Sequence, residues 1–405
     1  MKMRFIAIIL TCCSLSFAQE NRLDTGEMIE YKNPFWEKIK ESSSKFRSQE
    51  KEPKRVFKMN FEGLDLPEGV EEFKTIWHQA PISQGWTGTC WAFSTTSFLE
   101  SECFRLNGKK IKLSEIHTAY WEYVEKAREF VRTRGESLFA EGSEDNAVIR
   151  MWKQYGCVPA EAYSGVKEGQ DFHDHSVMFD EMKSFLKSMV KQNAWNEQFV
   201  LDTIKNIMNH HMGAPPSTFQ YEGKEYTPVT FLSQVVHLNP DDYVDFISLK
   251  SMPYYTKGVY DVPDNWWHSN EYYNVPLDVF MGTLKKALKE GFSICLGGDT
   301  SESGYHSKYD VAVIPSYDIP SEYINEDARQ FRFSNGTTTD DHGIHLVGFR
   351  EYQGQNWYLI KDSGSGSRNG NTSGYYFYHE DYIKLKMMNF LVHRSAVEDL
   401  LKEFE

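Results

Sequence analysis

From Cys90 onward the apolar residues recur at helical spacing. Trp91, Phe93, Phe98, Leu99 and Phe104 predict a buried helix that starts at the cysteine itself. Leu113-Ser114-Glu115 opens a second helical run through Ala119, Tyr120, Tyr123, Val124 and Ala127, with Ser114 placed to cap it. An acidic loop, Glu141-Gly142-Ser143-Glu144-Asp145, leads into a third through Val148, Met151 and Trp152, which Gly156-Cys157-Val158-Pro159 ends. Met178, Met182, Phe185, Leu186, Met189 and Val190 share one helical face, and Phe199, Ile204, Ile207 and Met208 suggest another helix. Next comes a Tyr-rich stretch with little periodicity. The last third then changes period. After a helix opened by Asn274-Val275-Pro276-Leu277-Asp278, apolar runs at 291–297, 342–349, 357–361 and 374–378 read as strands. Helices followed by consecutive antiparallel strands give an α+β architecture.

The N-terminal pattern is of another kind. Residues 1–18 have the form of a secretory signal: Lys2 and Arg4, an apolar centre from Phe5 to Leu10, and Ser16-Phe17-Ala18 before Gln19. A secreted or periplasmic location is therefore expected. Leu10-Thr11-Cys12 makes a poor lipoprotein cleavage site, so lipid anchoring is the weaker alternative. Within an N-terminal leader drawn at 19–74, the stretch from Gln19 to about Asn60 is polar and charged and is expected to pack loosely or wrap the surface. No later run is long and apolar enough to span a bilayer.

With 40% apolar and 15% aromatic residues the chain can build a real core, and its net charge of −14 comes without a basic stripe. That excludes nucleic acid and anionic membrane as expected partners. Two of the six cysteines leave with the signal. Cys90, Cys103, Cys157 and Cys295 remain, and the last three are expected as buried thiols, with a Cys157–Cys295 or similar bridge left open. His173, His175, His210 and His211 read as surface or helix-end histidines. No second cluster at ligand spacing accompanies them, and neither metal nor cofactor is expected.

Candidate chemistry centres on Gln84-Gly85-Trp86-Thr87-Gly88-Thr89-Cys90-Trp91-Ala92-Phe93-Ser94. At a helix N-terminus the unpaired N–H groups and the dipole favour thiolate over thiol. Gln84 can turn its amide toward whatever the sulfur attacks and serve as an oxyanion donor. The motif resembles the nucleophile segment of papain-like cysteine peptidases. Asp341-His342-Gly343 entering a strand resembles their histidine segment, which makes His342 the base; His345 falls on the opposite face by strand alternation. In that family an Asn in an Asn-Ser-Trp-Gly turn orients the imidazole. The match here is Asp362-Ser363-Gly364-Ser365-Gly366, where Asp362 replaces the Asn and Gly364 the shielding Trp. A carboxylate can accept the imidazole N–H and stabilise imidazolium more strongly. The same resemblance implies that Gly142 contacts the substrate backbone, the alternative being a simple helix-start turn.

Papain-type enzymes place the histidine about 130–150 residues after the cysteine, and here roughly a hundred more intervene. Together with His211–Phe219 and Asn274–Asp299, this spacing resembles the aminopeptidase C / bleomycin hydrolase family. The resemblance implies a papain-like fold with a large helical insertion: a helical half at 75–171, the insertion at 172–272 and a β half at 273–405. It implies a cysteine aminopeptidase acting on peptides, often as a hexameric ring. In that family a C-terminal arm blocks one side of the cleft and anchors the substrate amine. This chain ends at Glu405, soon after Leu401, and the arm is expected to be incomplete. Three stretches could supply the missing carboxylates: the acidic C-terminus, the 141–145 loop, or the leader. The rival readings are an endopeptidase with an open cleft and an inactive papain-fold binding protein.

Overall fold

A computed structural model of the protein describes Phe35, Lys38–Glu41 and residues 55–404. Two compact units divide the chain, Met1–Val56 and Phe57–Glu405. In the first, Phe35 and Lys38–Glu41 are helical. The signal segment and most of the leader lie outside the described residues. The second unit carries every element named below.

Five helices come first: α1 (Cys90–Asn107), α2 (Glu115–Arg132), α3 (Asp145–Tyr155), α4 (Ser176–Gln192) and α5 (Glu197–Met212). α1 is buried on all sides from Trp91 to Cys103, as a central helix must be. Gly108 ends it in the left-handed region (φ 66°), its N–H returning to the Phe104 carbonyl. Ser114 caps α2 as its sequence indicates, Oγ accepting from His117 N.

A mixed sheet packs against this layer. Its strands are β1 (Lys74–Thr75), β2 (Tyr243–Ile247), β3 (Thr256–Gly258), β4 (Tyr272–Asn274), β5 (Ile294–Gly298), β6 (Tyr305–His306), β7 (Val311–Ala312), β8 (His342–Tyr352), β9 (Gln355–Lys361), β10 (Tyr375–His379) and β11 (Met387–His393). Their spatial order is β3-β4-β2-β11-β5-β8-β9-β10-β7-β6, and β1 pairs with β8. β8 is antiparallel to both its main neighbours, with His342 opposite Gly298 on β5 and His345 opposite Lys361 on β9. α6 (Leu277–Lys289) buries Phe280, Leu284 and Leu288 against the sheet in a cluster with Ile344, Leu346 and Phe390.

Two expectations change here. Residues 57–75 are no loose leader: Phe61 and Phe73 are buried among Val311, Val347, Trp357, Leu359 and Phe377, and Lys74 and Thr75 pair with Phe349 and Gly348. The stretch 172–272 is helical through Met212 and again over 228–236. Its second half supplies β2, β3 and β4 to the main sheet. The four described cysteines are free thiols, so no Cys157–Cys295 bridge forms. No helix among the described residues is long and apolar enough to cross a membrane.

Candidate active site

The loop before α1 is clipped in place from two sides. Gly85 has φ +68°, and a Cβ there would meet the His173 carbonyl oxygen at 2.3 Å, so only glycine lets the 173–175 segment close on the loop. Trp86 N donates to His173 O at 2.8 Å and His175 N to Trp86 O at 3.2 Å. His175 is the helix-end residue expected, the N-cap of α4, but neither it nor His173 is a surface residue. They wall the loop from behind: His175 is buried and bonded to the Tyr123 hydroxyl, and His173 packs on Phe93. His210 and His211 remain at the end of α5, His211 beside Glu181. On the other flank Gly88 N donates to Glu141 Oε2 at 2.6 Å, and Trp91 Nε1 to the Glu141 carbonyl.

Cys90 is the first residue of α1 and half-buried. Ala92 N and Phe93 N both donate to the Thr89 carbonyl, which leaves the Cys90 and Trp91 N–H groups at the helix start without an intrahelical acceptor. His342, the first residue of β8, binds Asp362 Oδ1 through Nε2 at 3.0 Å, which leaves Nδ1 for its hydrogen bond with Cys90. Burial alone would lower the imidazole pKa. The Asp362 carboxylate and the Cys90 sulfur outweigh it and hold His342 well above its usual range. Burial would likewise raise Asp362, yet His342 and the Gly364 N–H keep it below the ordinary carboxylate value. The arrangement therefore holds the His342 imidazolium against the Asp362 carboxylate, with the Cys90 sulfur on its other side.

Asp362 has the partners its role requires. Oδ1 also accepts from Gly364 N at 2.6 Å, and the Tyr305 hydroxyl donates to Oδ2 at 3.4 Å. Tyr305, Tyr376 and Tyr378 stack into the adjoining wall, and Asp362 is 2% exposed. The shielding that Gly364 does not supply comes in part from Tyr305, which no local motif marks.

Gln84 is fixed at both ends of its amide. Ser363 Oγ donates to Oε1 at 2.7 Å, and Nε2 donates to the Thr87 carbonyl at 2.7 Å. A carbonyl only accepts, so the NH2 must lie on the Thr87 side. Nε2 keeps a second N–H with no acceptor among the described residues. Gly142 sits on the opposite wall, its carbonyl held by the Lys126 ammonium.

Ser97 ties the three elements together. Its Oγ accepts from Lys361 Nζ at 2.7 Å and donates to His345 Nδ1 at 2.8 Å. Burial, followed by the Lys361 charge, keeps His345 neutral, well below its normal pKa. One hydroxyl thus joins the helix of the nucleophile to the strands carrying His342 and, one residue before Asp362, Lys361. Gly343 sets the approach. A Cβ there would lie 3.1 Å from Trp91 Cα and 2.9 Å from Ser94 Oγ. Gly343→Val should push β8 off α1 and cut kcat about tenfold, with KM less affected. Unchanged kcat in a stopped assay would show that the strand–helix distance is not critical.

Selective alkylation tests the nucleophile. Cys103, Cys157 and Cys295 are buried, and burial pushes their thiols up, Cys103 to about 11 and the other two well above the ordinary thiol value. Iodoacetamide at mildly acidic pH should therefore modify Cys90 alone. Peptide mapping that found the four cysteines equally labelled would refute the assignment.

A helix-borne thiol, an imidazole on the facing strand, a carboxylate behind it and a fixed amide on the loop before the cysteine define a papain-like cysteine peptidase site. The Peptidase C1-like family model matches residues 68–405, and the chain belongs to that family. It is 21% identical over 358 residues to aminopeptidase G of Lactobacillus delbrueckii subsp. lactis, covering 77% of this chain and 80% of that one. It is 24% identical over 261 residues to aminopeptidase C of Streptococcus thermophilus, covering 53% of this chain and 58% of the relative. The fold is similar to that of PepW from Lactobacillus rhamnosis HN001 (TM-score 0.65, 17% identity, 93% of this chain and 95% of that one).

Proposed function

We propose that the protein is a cysteine aminopeptidase, releasing N-terminal residues from short peptides through an acyl-enzyme. The observation that carries the chemistry is the Cys90–His342–Asp362 line, with the 3.0 Å bond between His342 and Asp362 at its far end. Cys90 Sγ attacks the scissile carbonyl, and the developing oxyanion takes hydrogen bonds from the second Gln84 N–H and the first-turn N–H of α1. His342 gives its Nδ1 proton to the leaving amine, then takes one from the water that hydrolyses the thioester. Asp362 stays ionised and keeps the ring aligned through both steps.

The exopeptidase mode is supported by the names of the relatives, aminopeptidases G and C. Export by the 1–18 segment and a ring of subunits belong to the same proposal; the first rests on Lys2, Arg4 and Ser16-Phe17-Ala18, the second on family resemblance alone. Digestion of matched peptides with free and N-acetylated termini tests the mode. Sequential loss of N-terminal residues from the free peptides only is expected. Internal cuts in blocked peptides at equal rates would make the protein an endopeptidase.

A further inference from the structure

An aminopeptidase has to recognise a charged amine two bonds from the carbonyl carbon it attacks. The recognising groups must therefore adjoin the nucleophile. Of the stretches that could supply carboxylates, the C-terminal one packs elsewhere: Phe404 lies on Phe246, Tyr255 and Tyr273, along β2 and β4, three and four strands from β8.

The 141–145 loop is placed differently. A cavity of about 20 Å³ is lined by Cys90 and His342 together with Glu144, Asp145, Asp264, Asp340 and Asp341. Three segments converge there: the start of α3, the turn at Asp264 and the two residues before β8. Five carboxylates thus share the cavity with His342, which alone among its lining residues can carry a positive charge. The Lys126 ammonium, which donates to the Ala140 and Gly142 carbonyls, lies within electrostatic reach of Asp264 and Glu144 but does not line the cavity. Glu144 is 3% exposed. Its Oε2 accepts from Asn389 Nδ2 at 3.1 Å, Oε1 is buried without a donor, and the carboxyl lies against that of Asp340, an acceptor like itself unless a proton lies between them. Asp145 is held by Thr95 and the Cys295 thiol, and the buried Tyr260 hydroxyl reaches Asp340. Burial of an oxygen without a donor is costly, and Glu144 Oε1 has none among the described residues.

We infer that the Glu144–Asp340 carboxyl pair is the binding site for the substrate's free α-ammonium group. This rests on the aminopeptidase reading and deepens it. A cavity of this size holds about one water-sized group, which an ammonium matches and a further peptide residue does not. The same walls therefore hold the amine and exclude chain beyond it. Burial, with Asp264 and Asp145, pushes Asp340 up to about 7, and burial with Asp340 raises Glu144 well above the carboxylate range. Near neutrality the pair keeps a proton. An incoming ammonium replaces it, and the proton leaves to solvent.

The test uses aminoacyl coumarylamides and their N-acetyl counterparts, with enzyme concentrations set by active-site titration. The parent should prefer the free amine by at least about tenfold in kcat/KM, the value of one charge-assisted hydrogen bond. Glu144→Gln and Asp340→Asn should each shrink that ratio by about tenfold, mainly through KM. A ratio unchanged in both variants overturns the inference while leaving the aminopeptidase reading intact. A parent without any preference overturns the reading itself. A Glu144-dependent preference for acetyl-Lys-Leu over acetyl-Leu-Leu coumarylamide would assign the cavity to a side-chain ammonium, and so overturn the α-amine. Should neither variant fold, the parent's pH profile decides. KM for the free amine should fall as pH rises through the titration of the pair, until the amine itself loses its proton near ~8. KM for the acetylated substrate should stay flat, and parallel profiles would refute the assignment.

Discussion

Cys90→Ser and His342→Ala should each lower kcat/KM by roughly four to six orders of magnitude, and the double variant should lose scarcely more. The geometry explains the non-additivity. His342 reaches Cys90 through one ring nitrogen and Asp362 through the other, so the imidazole has no second task once the thiol is gone. Without His342, Cys90 has no group to protonate the leaving amine, and the oxyanion donors alone remain. Serine at position 90 would occupy the same space, but a hydroxyl does not give up its proton to an imidazole in the ground state as a thiol does. Comparing the two single variants and the double by burst-free steady-state rates checks this. Losses that multiplied, each variant costing its full factor in the presence of the other, would mean that Cys90 and His342 act in separate steps.

The part of the site that is legible in the sequence lies on regular elements. Cys90 opens a helix whose apolar spacing is visible from Trp91 to Phe104, and His342 opens a strand with an uninterrupted run to Phe349. Asp362 comes after a strand of the same kind. Each is anchored by periodicity within one segment, which a linear reading captures. β11 escapes such a reading for the converse reason. Met387–His393 is buried on both faces in the middle of the sheet, so its apolar run shows no alternation. β2, β3 and β4 are short and lie in a Tyr-rich stretch, and what makes them strands is pairing with distant partners.

The groups that complete the site are illegible because each acts across a long stretch of chain. Tyr305 reaches Asp362 from the two-residue strand β6, Ser97 joins His345 and Lys361, and Ser363 sets the face of the Gln84 amide. The acidic loop is visible as charge, but not as a pair. Asp340 sits almost two hundred residues after Glu144, and only the convergence of α3 with β8 brings the two carboxyls together. The 57–75 segment misleads for a related reason. Its charged residues set the texture, while the two positions that anchor it, Phe61 and Phe73, are isolated apolar residues whose partners lie on β7 to β10.

Asp362 should discriminate sharply between two replacements. Asp362→Asn should retain activity within about tenfold of the parent, while Asp362→Ala should lose on the order of a hundredfold, the lower end for a positioned acid–base group. The local hydrogen bonds predict the difference. His342 Nε2–H and Gly364 N–H both donate to Oδ1, so an asparagine must keep its carbonyl there and place its NH2 at the Oδ2 position. The Tyr305 hydroxyl, which donates to Oδ2, can rotate and accept instead. Alanine leaves His342 and Gly364 without an acceptor, and the ring is free to turn from Cys90. The two variants should also differ from the parent in pH dependence. Asp362 is the main influence that raises the His342 pKa against its burial, so removing the negative charge lowers that pKa. The imidazolium form then persists over a narrower range, and the alkaline limb of kcat/KM should move to lower pH in both variants. Asparagine would show that shift with most of its kcat intact, which a residue that merely stabilises the turn would not produce. If both variants matched the parent in rate and in alkaline limb, Asp362 would be a turn residue, and another group would have to align His342.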